Sequence, residues 1–285
     1  MKKIKMSFDE IKDNKDKFLE TYGLVDMFKE CGYTWDELIE IGEDYNSKRD
    51  SVFFNLIQNF IVEISKFTDV HSYRYRIKET DSLIAKIIRK GKSREEKITI
   101  DNYCSEITDL LGIRILYIFK EDYWSVNKQL MDKYKPQLAE NIHLKLRDGD
   151  DQKTYQSLLS AYDVVVERNE AYRSIHYTIY SDPNNIISNP KIEIQTRTIF
   201  EEGWSEINHK LVYKNNSFPE IEKVSNILSE LVGSCDTVSG LMQYLYNRVK
   251  DDNGTSKMVD DLDGKVNMLD TGNDSIGDVI RKFLS

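Results

Sequence analysis

The chain has 285 residues, 40% of them hydrophobic and 31% charged, enough to bury one sizeable core with attachments. Its formal net charge of −9 argues against a surface built to hold extended nucleic acid, because phosphate-dominated binding wants clustered Lys and Arg. No run of about 18 apolar residues occurs, and Cys31, Cys104 and Cys235 are too scattered for a zinc or disulfide framework, so a cytoplasmic protein without a membrane partner is expected.

Residues 1–70 read as a helical attachment. Thr34 and Glu37 have capping-box spacing, and Val52, Phe53, Leu56, Ile57, Phe60, Ile61 and Ile64 recur at three- and four-residue steps. From 71 to 216 the period changes. Runs rich in β-formers at 113–119, 162–166, 174–180 and 191–196, separated by helical stretches at 82–90 and 123–134, predict an α/β sheet domain. The polar stretch 135–160 reads as a loop or short helix, and 181–190, with its Asp-Pro and Asn-Pro pairs, as a turn between strands.

Over 217–250, Ile221, Val224, Leu228, Leu231, Cys235, Val238, Met242, Leu245 and Val249 alternate three- and four-residue steps. That spacing predicts one long helix whose narrow seam either packs on the domain or forms a homo-oligomer. Gly233 and Gly240 lie inside it, each costing about 1 kcal/mol relative to Ala, so packing must hold the helix. Residues 251–285 are expected to be a mobile acidic tail with a short helix at 276–284.

Three constellations carry chemistry. Arg74, Arg76, Lys78, Lys86, Arg89, Lys90, Lys92 and Arg94 crowd one stretch of an otherwise acidic chain, and either surround a triphosphate or form a solvated helix face. Asp109 stands just before a strand, and Glu193 alternates with Ile192 and Ile194, which aims it at the opposite sheet face. A carboxylate there must be solvated, paired with a base such as Arg197, or bound to a cation, for which Mg²⁺ is the hard, oxygen-preferring ion of phosphate chemistry. The third is the stretch from Ala171 to His176, which joins a loop to a strand.

Taken in order, Arg76 and Lys78, Ser82 and Lys86, the stretch from Asp109 to Arg114, that from Tyr172 to His176, that from Glu193 to Arg197, and Trp204 with His209, Lys210, Tyr213 and Lys214 resemble the synthetase domain of RelA/SpoT homologues. The resemblance covers about residues 70–215. It implies an α/β (α+β) fold, with a mixed β-sheet nucleotidyltransferase-like synthetase core flanked by N- and C-terminal helices. It also implies a stand-alone small alarmone synthetase that moves the β,γ-diphosphate of ATP to the ribose 3′-hydroxyl of GTP or GDP. Arg76, Lys78, Ser82 and Lys86 match ATP contacts. Asp109 and Glu193 match catalytic carboxylates that hold Mg²⁺. Arg168, Tyr172, His176 and Gln195 match acceptor-nucleotide contacts, with Tyr172 stacking on guanine.

Two other readings stand beside it: a toxin-type pyrophosphokinase acting on the tRNA 3′ end, and a catalytically silent nucleotide-binding regulator. Two positions depart from the family's usual residues, Ala171 in place of Gly and Asn208 in place of Glu. Ala tolerates positive φ poorly, so a differently shaped acceptor loop is expected.

Overall fold

The computed structural model describes residues 6–93, 96–182, 184–185, 189–213 and 219–251. Arg94, Lys214 and the expected tail with its helix at 276–284 lie outside the described residues, as do the side chains of Tyr213 and Val249. The chain divides into two compact units. The first contains the chain up to Ile115 with Lys128–Ile142 and His176–Gln195, and the second contains Leu116–Asn127, His143–Ile175 and the chain from Thr196 onward.

Five helices open the first unit: α1 (Phe8–Asp13), α2 (Lys15–Tyr22), α3 (Val25–Glu30), α4 (Trp35–Lys48) and α5 (Phe54–Ile64), the last two joined by a π-helical turn at Arg49–Phe53. Capping boxes start α1 at Ser7 and Glu10 and α4 at Thr34 and Glu37, where each hydroxyl and carboxylate satisfy otherwise unpaired first-turn N–H groups. Gly23 ends α2 at φ 63°, a left-handed position that costs glycine little. On α5, Ile57, Phe60, Ile61 and Ile64 are buried, as their spacing predicts.

Six strands form one mixed sheet in the order β1-β2-β6-β5-β3-β4, comprising β1 (Ser72–Ile77), β2 (Leu111–Tyr117), β3 (Ile142–Arg147), β4 (Val164–Asn169), β5 (Ser174–Tyr180) and β6 (Lys191–Thr198). Between them lie α6 (Thr80–Gly91), α7 (Tyr103–Glu106), α8 (Tyr123–Tyr134) and α9 (Gln156–Ala161), and after them α10 (Ile199–Asn208) and α11 (Pro219–Asp251). Interior β2 is buried at every position except Arg114, which is why it reads as a continuous apolar run.

The stretch 135–160 is not simply a loop. It contains β3, whose Ile142, Leu144 and Leu146 are buried while His143, Lys145 and Arg147 are not. The polar alternate residues hid the strand inside a polar window. Strand β1 was masked similarly, because as an edge strand it is exposed at four of its six positions and reads as part of the basic cluster.

Several residues of the α11 seam face outward. Ser225, Ser229 and Asp236 are the helix's buried residues, whereas Val224, Leu231 and Met242 are 65%, 55% and 65% exposed. The helix therefore packs in the second unit by a small and polar face. That face explains both glycines: a Cβ on Gly233 would lie 3.0 Å from Nη2 of Arg173, and one on Gly240 would lie 2.8 Å from the Glu121 carboxylate.

Asp236 is 1% exposed, and burial together with the Glu201 carboxylate on α10 pushes its carboxyl up to about 8. An acid whose folded pKa lies above its unfolded value holds a proton that the unfolded chain has lost, so stability falls as pH rises from about 4 to about 8. Asp236→Asn should flatten that slope, giving urea midpoints at about pH 5 and pH 8 that lie closer together than in the parent.

Candidate active site

Helix α6 buries Leu83, Ile84, Ala85, Ile87 and Ile88 and leaves Lys86 on its flank. From there Lys86 Nζ reaches Oδ1 of Asp109 at 2.7 Å, while Lys78 Nζ reaches Oδ2 of the same carboxylate at 2.7 Å. Arg76 brings Nη2 to 3.7 Å from that second oxygen. Asp109 and Lys78 are largely buried and Arg76 is more than half exposed, so the group opens to solvent on the Arg76 side.

The backbone that carries Lys78 is fixed from both directions. Its N–H donates to the Leu110 carbonyl at 2.9 Å, which ties the end of β1 to the residue before β2. Its carbonyl accepts from the Tyr45 hydroxyl at 2.6 Å and from Arg49 Nε at 3.3 Å, and Arg49 also pairs with Glu79 at 3.0 Å. Sequence reasoning missed Tyr45 and Arg49. Their only signal was a Tyr and an Arg four residues apart near the end of an amphipathic helix, which is indistinguishable from ordinary packing.

Burial would raise the Asp109 carboxyl, but Lys78 and Lys86 outweigh it and hold it at about 2. Lys78 moves down as well, first through burial and then through Lys86 and Arg76, against the pull of Asp109. The Asp109 shift comes from its two lysines, whereas that of Lys78 comes mainly from burial. Three cations share a single carboxylate, so the cluster carries positive charge in excess and suits a polyanion.

On β6, Ile192 and Ile194 are buried and Glu193 and Gln195 occupy the opposite face, as the alternation predicts. Glu193 does not pair with Arg197. Its Oε2 accepts from Gln195 Nε2 at 3.0 Å, and its Oε1 lies 3.7 Å from Nδ1 of His176. Burial raises the Glu193 carboxyl, yet His176 lowers it more, with Asp109 opposing and Arg76 assisting, so the group sits below the ordinary carboxylate range. The two predicted carboxylates thus belong to one electrostatic neighbourhood. Among the described residues no group of three or more His, Cys, Asp and Glu is placed to hold a metal. Two carboxylates are nevertheless what Mg²⁺ takes from protein when phosphates and water complete its shell.

Ser82 lies one turn before Lys86 on α6, and among the described residues it shares none of the cluster's hydrogen bonds; its backbone N–H donates to Asp81. Arg168 and Tyr172 belong to the second unit. Arg168 donates to the carbonyls of Arg147 and Asp150 at 3.3 and 3.1 Å. Tyr172 accepts at its hydroxyl from Arg197 Nη2 at 2.7 Å, and the same guanidinium lies 5.0 Å from its ring centroid. Arg197 also approaches Glu202 at 3.6 Å. Ala171 does not require the left-handed region, since Asp69 is the one described residue other than glycine with positive φ. The Asn169 side chain makes the turn instead, accepting from the N–H groups of Ala171 and Tyr172 at 3.1 and 2.5 Å.

A family model described as a region found in RelA / SpoT proteins matches residues 75–217, half of the chain. The chain belongs to the RelA/SpoT family. The GTP pyrophosphokinase YwaC of Bacillus subtilis (strain 168) is 28% identical to it over 171 residues, which span 59% of this chain and 70% of that protein. Among solved structures, small alarmone synthetase 1 from Bacillus subtilis aligns with 72% of this chain and 95% of its own at 18% identity and a TM-score of 0.44. The same synthetase bound to its product pppGpp covers 73% and 94% at 22% identity and a TM-score of 0.42.

In this RelA/SpoT protein both carboxylates and all three cations of the cluster fall inside the matched region, whereas Tyr45, Arg49 and α11 fall outside it. Tyr45→Phe should therefore test whether the N-terminal helices support the cluster. Loss of the hydroxyl leaves the Lys78 carbonyl with the longer Arg49 bond, at a cost of about 1 kcal/mol of stability in urea unfolding.

Proposed function

We propose that the protein transfers the β,γ-diphosphate of ATP to the ribose 3′-hydroxyl of GTP or GDP, releasing AMP and making alarmones of the (p)ppGpp type. The convergence of Arg76, Lys78 and Lys86 on Asp109 carries this reading. Triphosphate oxygens entering the cluster take over ammonium donors that Asp109 holds, which places charge where the β- and γ-phosphates sit and frees carboxylate oxygens. Mg²⁺ held by Asp109 and Glu193 would supply neutralisation of the charge developing on the phosphates.

Glu193, ionised at neutral pH, takes the proton of the 3′-hydroxyl as its oxygen attacks the β-phosphorus in line and AMP leaves. His176 and Gln195 hold the Glu193 carboxylate in orientation, and Tyr172 offers its ring to the acceptor base. No helix of the described residues is long and apolar enough to cross a membrane, and we place the reaction in the cytoplasm.

Incubation with γ-labelled ATP and, separately, GDP, GTP, GMP and deacylated tRNA tests the acceptor. Label should appear on GDP or GTP with a shallow salt dependence, because few counterions are released. Labelling of tRNA well above the mononucleotides, with a steep salt dependence, would replace the alarmone reading with the tRNA one. Glu193→Gln should lower turnover by roughly 100-fold or more while leaving the melting temperature near that of the parent. Near-normal turnover would remove Glu193 from the chemistry.

We infer further that α11 joins two copies of the chain. Val224, Ile227, Leu231 and Met242 form an exposed apolar face on a 33-residue helix whose other face is already packed, and heptad spacing suits pairing with an identical helix. Leu231→Asp should give a smaller particle by light scattering without unfolding, and an unchanged mass would exclude this face as the interface.

A further inference from the structure

Helix α11 touches the segment that carries Tyr172 more closely than a packing helix needs to. Residues 170–173 connect β4 to β5, which are not neighbours in the sheet. Asn169 holds the segment from below. Its amide donates to the carbonyls of Leu146 and Tyr172 at 3.0 and 2.9 Å, in addition to the two N–H groups it accepts.

From α11, the Ser229 hydroxyl donates to the Ala171 carbonyl at 2.5 Å. Arg173, 5% exposed, sends Nη1 to both the carbonyl and the hydroxyl of Ser229 at 2.9 Å. Its Nε and Nη2 form a fork on Asp150 at 2.6 and 2.9 Å. Asn226 adds a contact at the rim, donating to Glu170 at 3.3 Å. A buried guanidinium with this set of partners has one low-energy position, because each lost partner leaves a charge or a carbonyl unsatisfied. Gly233 completes the arrangement, since its missing side chain is what lets the helix lie against Arg173.

The two departures from the family's usual residues meet the same helix face one turn apart. Ala171 meets Ser229, and Asn208 accepts from the Ser225 hydroxyl at 2.8 Å. Trp204 donates its indole N–H to the Ser225 carbonyl at 2.8 Å, fixing α10 to that turn as well.

We propose that Ser229, Gly233 and Arg173 are positioning residues for the acceptor nucleotide: through them α11 sets the place of Tyr172 and so the affinity for the guanine base. This rests on the reading of Tyr172 as the residue that receives the base. Steady-state transfer from ATP to GDP, with melting temperature measured alongside, tests it in Ser229→Ala and Gly233→Ala.

Both variants should raise the KM for GDP by roughly tenfold, since a displaced binding group loses much of its contact, while the KM for ATP stays within about twofold of the parent. Asn226→Ala, which loses only the rim contact, serves if either variant fails to fold, and should raise the KM for GDP in the same direction. Folded variants with an unchanged KM for GDP, or with equal losses for ATP and GDP, would overturn the proposal. Tyr172→Ala separates it from the reading beneath it. If that change raises the KM for GDP and the α11 variants do not, the positioning role alone falls; if it leaves the KM for GDP unchanged, the acceptor reading falls and the positioning role with it.

Discussion

Asp109 must leave water together with both of the ammonium groups that hold it, and that exchange governs the first unit. Burying an isolated carboxylate costs several kcal/mol, and burying Lys78 beside it adds to the cost unless the pair is well made and its other valences are used. Here they are used. Lys78 and Lys86 take one carboxylate oxygen each, and the Lys78 backbone is held by Leu110, Tyr45 and Arg49. The arrangement satisfies Asp109 and leaves the cations in excess, so the contacts that satisfy the carboxylate also gather the positive charge.

The second unit solves the same problem with a different residue type. Arg173 and Arg197 are 5% and 1% exposed, and a guanidinium can keep several fixed partners where an ammonium keeps a looser set. Arg173 takes a bidentate carboxylate and a helix serine, and Arg197 donates to a tyrosine hydroxyl and lies 3.6 Å from a glutamate oxygen. Arg173 keeps its contacts within the protein, whereas Lys78 and Lys86 share one carboxylate.

Much of this was legible in the sequence because it depends on period. The alternation of Glu193 with Ile192 and Ile194 predicts a carboxylate on the face opposite the core, and the capping-box spacing of Thr34 and Glu37 predicts the start of α4. What was not legible depends on partners distant in sequence. Strand β3 puts charged residues on its partly exposed face, so its window reads as a loop until the sheet is known. Tyr45 reaches a carbonyl 33 residues away, and nothing local marks it as different from any other tyrosine on a helix. The spacing of the α11 seam left open whether it packs on the domain or on a second copy, and it did not reveal that the helix approaches its own unit by another face. Hydrophobicity shows which residues cluster on a helix, but close approach is decided by size, and the small face of Ser225, Ser229 and Gly233 was the one that could come near Arg173.

The net charge of −9 and the local excess of cations act over different distances. Exposed charges are screened beyond about 8 Å at physiological ionic strength, so a ligand feels the cluster at Asp109 only when its phosphates come close to it. A long polyanion binds through counterion release along many phosphates, and one local cluster supplies few of those releases. A mononucleotide triphosphate brings nearly all its charge within reach of Arg76, Lys78 and Lys86 at once. On the function proposed above, the mismatch between global and local charge would favour small, highly charged ligands before any base is read.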